Sequence, residues 1–118
     1  MNDLYYTSPI EEKLYHALKS AGIEPERQFY VKEKGRGYFL DIAVFCRGGE
    51  LDVECNGEVY HSGREKAESD RQRDNDLTAG GWRILRFSTK EIKRNTKGCV
   101  QLVQKVTRKL GGEVGKRR

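Results

Sequence analysis

An α/β fold built on a mixed β-sheet with helices on both faces is predicted by three observations. Apolar residues recur at helical spacing near both ends of the chain. Between them lie two β-rich runs joined by Gly48-Gly49, and a polar helix then separates this pair from one more short strand. At 118 residues the chain fits a single domain with one modest core. Residues 1–118 are expected to form that unit, with 111–118 a flexible basic tail.

The first helix is announced by "TSPIEEKLYHALKSAG", in which Ser8 can cap, Pro9 suits the first helical position, Glu11 completes a capping box and Gly22 ends it. Its apolar stripe is Ile10, Leu14, Ala17, Leu18 and Ala21. A strand follows at "RQFYVKE". The segment "GYFLDIAVFCRGGELDVECNG" then reads as a hairpin with strands near 37–46 and 50–56. A two-residue Gly48-Gly49 turn would set Cys46 opposite Leu51, Val44 opposite Val53 and Asp41 opposite Asn56. Strand alternation then gives one apolar face (Leu40, Ile42, Val44, Cys46, Leu51, Val53, Cys55) and a second with Phe39, Asp41, Ala43, Phe45, Asp52, Glu54 and Asn56.

A loop containing His61 leads to a helix from about Glu65 to Ala79. On the turns preceding Leu77 it carries Asp74, Arg73 and Asp70 in place of aliphatics, so if Leu77 faces inward these do too. "WRILRF" is a strand, "STKEIKRN" opens with a Ser88-to-Glu91 capping pattern, and "CVQLVQKVTRKL" is a closing amphipathic helix. A right-handed crossover through the polar helix would make the strands on either side of it parallel, which is why the sheet is expected to be mixed.

Composition narrows the function. No apolar stretch approaches the roughly 20 residues of a membrane span, and the N-terminus lacks a signal-peptide layout, so a cytoplasmic protein without membrane contact is expected. Cys46, Cys55 and Cys99 are odd in number and widely spaced, and they read as small buried hydrophobes outside any disulfide framework or zinc site. Residues 1–82 carry 11 Lys and Arg against 16 Asp and Glu, whereas residues 83–118 carry 12 against 2. Such asymmetry suits a polyanion binder, and it equally describes a solvated surface with a basic end.

Asp41 and Glu54 carry the chemistry. The expected register sets them diagonally on one face of adjacent strands, where their side chains can bridge a hard cation such as Mg²⁺. Decoration of a solvent face is the competing reading, although Phe39, Ala43 and Phe45 make a poor solvent face. Asn56 falls opposite Asp41, Gly57 allows close backbone approach, and His61 is a general acid or base in reach of the hairpin mouth, or an inert loop histidine. Glu11 is explained by capping. Asp70, Arg73 and Asp74 form either a polar site or a solvated ion-paired face. Lys90, Lys93, Arg94 and Lys97 gather around a helix terminus as phosphate contacts or solubilising charge.

At these residues the chain resembles the very-short-patch-repair (Vsr) type of endonuclease domain within the PD-(D/E)XK restriction-endonuclease-like superfamily, especially bacterial relatives that occur alone or fused to helicases. The likeness runs from about Ser8 to Ile92 and rests on "SPIEEKL", "RQ", "FLDIAV", "LDVECNGEVYH", "DRQRDNDL" and "GWRILRF". It implies an αβββαβ core with an additional C-terminal helix. It also implies Asp41 and Glu54 as the metal-binding pair, with the Cys55 backbone carbonyl as a further ligand. Glu11 matches a first-helix glutamate at the edge of such sites and His61 the histidine after the E-x-(D/N)-G turn. Asp70 and Arg73 match a polar helix that closes over the substrate.

The implied activity is Mg²⁺-dependent hydrolysis of DNA phosphodiester bonds, with Mn²⁺ substituting. Two departures stand out. Asn56 occupies the usual lysine position, and the ligands of the structural zinc in mismatch-repair members are absent. The first expectation is therefore a DNA endonuclease, nicking or cutting both strands, the latter as a homodimer. The second is a non-catalytic DNA-binding module of the same fold, and the third an interaction domain of nuclease ancestry.

Overall fold

The computed structural model describes residues 8–56 and 64–114. In chain order these form α1 (Pro9–Ser20), β1 (Glu26–Glu33), β2 (Arg36–Cys46), β3 (Gly49–Asn56), α2 (Arg64–Ala79), β4 (Trp82–Ser88), α3 (Thr89–Arg94) and α4 (Thr96–Lys109). The four strands lie in the order β1-β2-β3-β4, antiparallel except for the parallel pair β3 and β4 across α2. The predicted mixed sheet between helices is what forms. Among the described residues no helix is long and apolar enough to cross a membrane.

Local chemistry starts the helices where the sequence says. Ser8 Oγ accepts the Glu11 N–H at 3.1 Å to open α1. Ser88 and Glu91 exchange both bonds of a capping box at α3, at 3.0 and 2.9 Å. The main core packs Leu14 and Leu18 of α1, Ile92 of α3 and Val100 and Val103 of α4 on Ile42, Val44, Leu51 and Val53. On the opposite face a smaller cluster joins Leu77 of α2 to Leu40, Ala43 and Trp82. Trp82 and Phe87 are core residues, and Cys46, Cys55 and Cys99 are free thiols, the first and last buried.

With few apolar residues, α2 is pinned by polar contacts. Asp76, nearly buried, accepts Arg36 Nε at 2.9 Å, Arg36 Nη2 at 3.3 Å and the Tyr38 hydroxyl at 2.7 Å. The bidentate arginine and the phenol together satisfy the carboxylate and fix the helix to β2. Arg86 and Asp74 add a further pair between β4 and α2.

Three expectations are corrected. The hairpin turns at Arg47-Gly48, with Cys46 opposite Gly49, Val44 opposite Leu51 and Ile42 opposite Val53, a register displaced by two residues from a Gly48-Gly49 turn. The cause lies far along the chain, since Arg47 N–H donates to Gly112 O at 2.9 Å and Gly48 N–H to Leu110 O at 2.7 Å. A displacement of two preserves alternation, so β3 keeps its predicted faces while the cross-strand partners change. Those bonds also correct the expectation of a frayed end for residues 111–114. Val114 N–H reaches Phe45 O at 2.9 Å, and the Glu113 carboxylate accepts the Glu24 N–H at 2.9 Å.

The third correction concerns Leu40. It packs under α2 with Ala43 rather than with Ile42, while Phe39 is exposed on the other side. Two residues of one strand on the same face three positions apart mean that alternation breaks between them. It breaks at Asp41, where β1 carries Gln28 at φ +45° between the paired positions Arg27↔Ile42 and Phe29↔Leu40. A left-handed glutamine costs about 1 kcal/mol or more, which the flanking pairs hold in place.

Deleting residues 111–118 removes the bonds made by Gly112, Glu113 and Val114, at roughly 1 kcal/mol each. Thermal unfolding should show a melting temperature lower by about 10 °C. An unchanged value would mean that this segment does not brace the hairpin.

Candidate functional site

β2 and β3 pair from Cys46↔Gly49 to Ile42↔Val53. One step further the same count brings Asp41 level with Glu54, and there the strands fork. Asp41 Oδ2 accepts the Cys55 N–H at 2.9 Å, so a carboxylate takes the place of a strand carbonyl. Asp41 and Glu54 therefore lie directly across the fork, closer than the diagonal placement expected from sequence. The Glu54 carboxyl faces the charge of Asp41 on one side and of Asp52, two residues back on the same face, on the other.

Arg73 supplies the positive charge. Its Nη2 donates to Glu54 Oε2 at 2.7 Å and to Phe39 O at 3.2 Å, while Nη1 stands 3.8 Å from Asp52 Oδ2. From the other face α1 contributes Glu11, only 5% exposed, whose two oxygens both accept Gln28 Nε2 at 3.3 and 3.2 Å. This overturns the capping explanation of Glu11. Its backbone N–H serves the cap, but its carboxyl is turned into the fold.

Burial dominates the electrostatics. It raises Glu11 to about 7, with the Gln28 bond working against it. Asp41 rises to about 7, first through burial and then through the charge of Glu54, against the Cys55 N–H. Glu54 rises furthest, to about 8, through burial and then through its contact with Asp52, with Arg73 opposing. Asp52 is 0% exposed and is also raised by burial. No donor among the described residues bonds either of its oxygens. Burial without a donor, beside the Glu54 carboxyl, favours the protonated form of this pair. Burial and the surrounding carboxylates also push the Cys55 thiol far up.

The structure thus gathers Asp41, Glu54, Glu11 and Arg73, and adds Gln28 and Asp52, to which sequence reasoning gave no role. Alternation alone sets Asp52 on the face of Glu54, so a third carboxylate was visible there, whereas nothing local marks Gln28 as left-handed. Asp70 lies half-buried one turn before Arg73 on α2. Asn56 ends β3 opposite Ser88 of β4. The Asn56 side chain, like His61, lies outside the described residues. Lys90, Lys93 and Arg94 are exposed on α3, and Lys93 lines a groove of about 510 Å³ with Lys13 and the first residues of α1. Among the described residues no group of three or more His, Cys, Asp or Glu side chains stands in metal-holding geometry.

A mixed sheet between helices, with acidic side chains at a strand fork, is the architecture expected of a restriction-endonuclease-like protein. A family model for such proteins, REase_MTES_1575, matches residues 10–107, and the chain belongs to that family. No curated protein matches it significantly. Among solved structures, the crystal structure of "Protein of Unknown Function AF1548" is similar, at 17% identity and a TM-score of 0.45 over 80% of this chain. The match covers 54% of that protein's length.

Because these carboxyls hold protons in the fold that they lose when unfolded, their contribution to stability is full below the ordinary carboxylate range and is lost as pH rises through about 7 to 8. Asp76 acts in the opposite sense. Its Arg36 and Tyr38 bonds lower its pKa, and its contribution is lost only in acid. Melting without divalent cations should therefore occur at a lower temperature at about pH 8.5 than at about pH 5.5, and Glu54→Gln should shrink the difference. A wild-type melting temperature that rises over this interval would contradict the assignment.

Proposed function

We propose that this chain is a divalent-cation-dependent DNA endonuclease that hydrolyses phosphodiester bonds by nicking or by double-strand cleavage. The observation that carries the reading is the meeting of Asp41 and Glu54 at the fork. Asp41 accepts the Cys55 N–H next to Glu54, Arg73 bonds Glu54 at 2.7 Å, and burial raises the pKa of both carboxyls towards neutrality. Such a pair costs stability unless a positive charge joins it.

The residues fit Mg²⁺. That ion takes oxygen donors, usually one or two carboxylates, and fills its other positions with waters and substrate oxygens. Asp41 and Glu54 would supply the carboxylates and the Cys55 carbonyl a third oxygen, with Mn²⁺ an acceptable substitute. When bound, the cation would lower the pKa of a coordinated water and offset charge developing on the phosphate. Glu11, fixed by Gln28 and titrating near neutrality, would hold or release a proton at the edge of the site, and His61 is the second candidate for that task. Arg73 and Asp70 would present α2 to the substrate. Lys90, Lys93 and Arg94 would contact phosphates further along, giving salt-dependent affinity.

The substrate would be cytoplasmic DNA, and a double-strand cut would use two copies of the chain. The finer kinship with very-short-patch-repair nucleases and helicase-fused relatives rests on the sequence motifs, and without the zinc ligands it carries no mismatch specificity. One contact favours a non-catalytic DNA-binding module instead. Arg73 already neutralises Glu54 at 2.7 Å, and Asn56 stands where a lysine is usual.

A supercoiled-plasmid assay separates the two. With Mg²⁺ or Mn²⁺ the wild type should nick or linearise the plasmid, and Asp41→Asn or Glu54→Gln should reduce the rate more than about a hundredfold. Wild-type activity in both variants would sink the nuclease reading. Salt-dependent binding without cleavage in the wild type would establish the module.

A further inference from the structure

Beyond the fork, the β1–β2 ribbon carries an aromatic surface that the site does not use. Phe29, Val31, Tyr38 and Leu40 pack into the cluster beneath α2. Alternation therefore puts Tyr30, Lys32, Gly37 and Phe39 on the opposite face. That face is open, since Phe39 is 61% and Tyr30 52% exposed, the two most exposed large hydrophobic residues among those described. They are cross-strand partners, with ring centroids 5.1 Å apart and planes inclined at 57°.

Gly37 is part of the arrangement. A Cβ at this position would collide with the ring of Tyr30, so the glycine lets that ring lie across β2. The surface is also tied to the site. The carbonyl of Phe39 accepts Arg73, whose same nitrogen holds Glu54, and Phe39 stands two residues before Asp41. Exposed Lys32 and Lys34 continue the ribbon towards its tip. Two open rings followed by lysines have the composition of a surface that takes a nucleobase on its π-face and the adjoining phosphate on its cations.

We propose that Tyr30 and Phe39 form a stacking platform for an unpaired nucleobase, so that the protein prefers DNA with an unstacked base beside the cleavage position over continuous duplex. This rests on the DNA reading above, and it adds the class of DNA. A paired duplex hides its base faces and offers the rings only its edges, whereas a frayed, looped or single-stranded segment presents a face at no further unstacking cost. Phe39 would be a binding residue and Gly37 a positioning residue acting through Tyr30.

The test is fluorescence anisotropy with EDTA present, using a labelled paired duplex and the same duplex carrying an unpaired loop. The wild type should bind the looped DNA about tenfold more tightly, and Phe39→Ala should remove most of that preference while leaving affinity for paired duplex unchanged. Phe39→Tyr should restore it. A fluorescent adenine analogue in the loop should change emission on binding wild type but not Phe39→Ala. Because both rings are exposed, the variants should melt with the wild type, which a thermal scan checks. Equal affinity for the two DNAs, or a preference that survives both Phe39→Ala and Tyr30→Ala, overturns the platform and leaves the nuclease reading standing. Absence of binding to either DNA at low salt, in EDTA and also with non-catalytic Ca²⁺ in its place, overturns both.

Discussion

A carboxyl withdrawn from water needs a positive charge, a hydrogen-bond donor or a proton. At the fork of β2 and β3, Asp41, Glu54 and Asp52 gather beside the Arg73 guanidinium. Arg73 satisfies Glu54 and only approaches Asp52. Asp41 borrows a backbone N–H from Cys55, and the remaining need is met by protons held near neutral pH. Burying carboxyls with so little compensation costs stability.

Much of the surrounding structure follows from keeping that cluster in place. The strands must part at Asp41 for its carboxyl to reach Cys55, and the break in alternation there is shared by Gln28 at φ +45°. That same glutamine holds Glu11, so one strained residue links α1 to the fork. On the other face α2 must offer Arg73 to the site. The helix therefore has little apolar surface, and the triangle of Asp76, Arg36 and Tyr38 secures it instead. A helix that a hydrophobic stripe would normally anchor is held here by hydrogen bonds and ion pairs.

The sequence was most legible where local physics decides. Ser8 and Ser88 start helices because their side chains accept the N–H three residues on, and alternation in "LDVECN" separated Leu51 and Val53 from Asp52 and Glu54 without any knowledge of the partner strand. It was least legible where a distant contact decides. Gly48-Gly49 is a good local turn, yet Leu110 and Gly112 take the N–H groups of Gly48 and Arg47 and move the turn back by one residue. Simple alternation misplaces Leu40 because the flip at Asp41 belongs to two strands at once. Glu11 matched a capping pattern completely, and only its burial against Gln28 reveals a second use for its carboxyl.

The basic residues of α3 and α4 are mostly exposed, while Glu11, Asp52 and Glu54 around the fork are buried. Lys93 of α3 shares a groove with Lys13 and the start of α1, a basic surface of the kind that attracts a polyanion. The fork carboxyls are proposed above as a cation site. Anomalous scattering from crystals soaked in Mn²⁺ tests it most directly. The account predicts a peak between the Asp41 and Glu54 carboxylates with Arg73 drawn away from Glu54. Full Arg73 contact with Glu54 and no peak at the fork, in crystals that bind Mn²⁺ elsewhere, would contradict it.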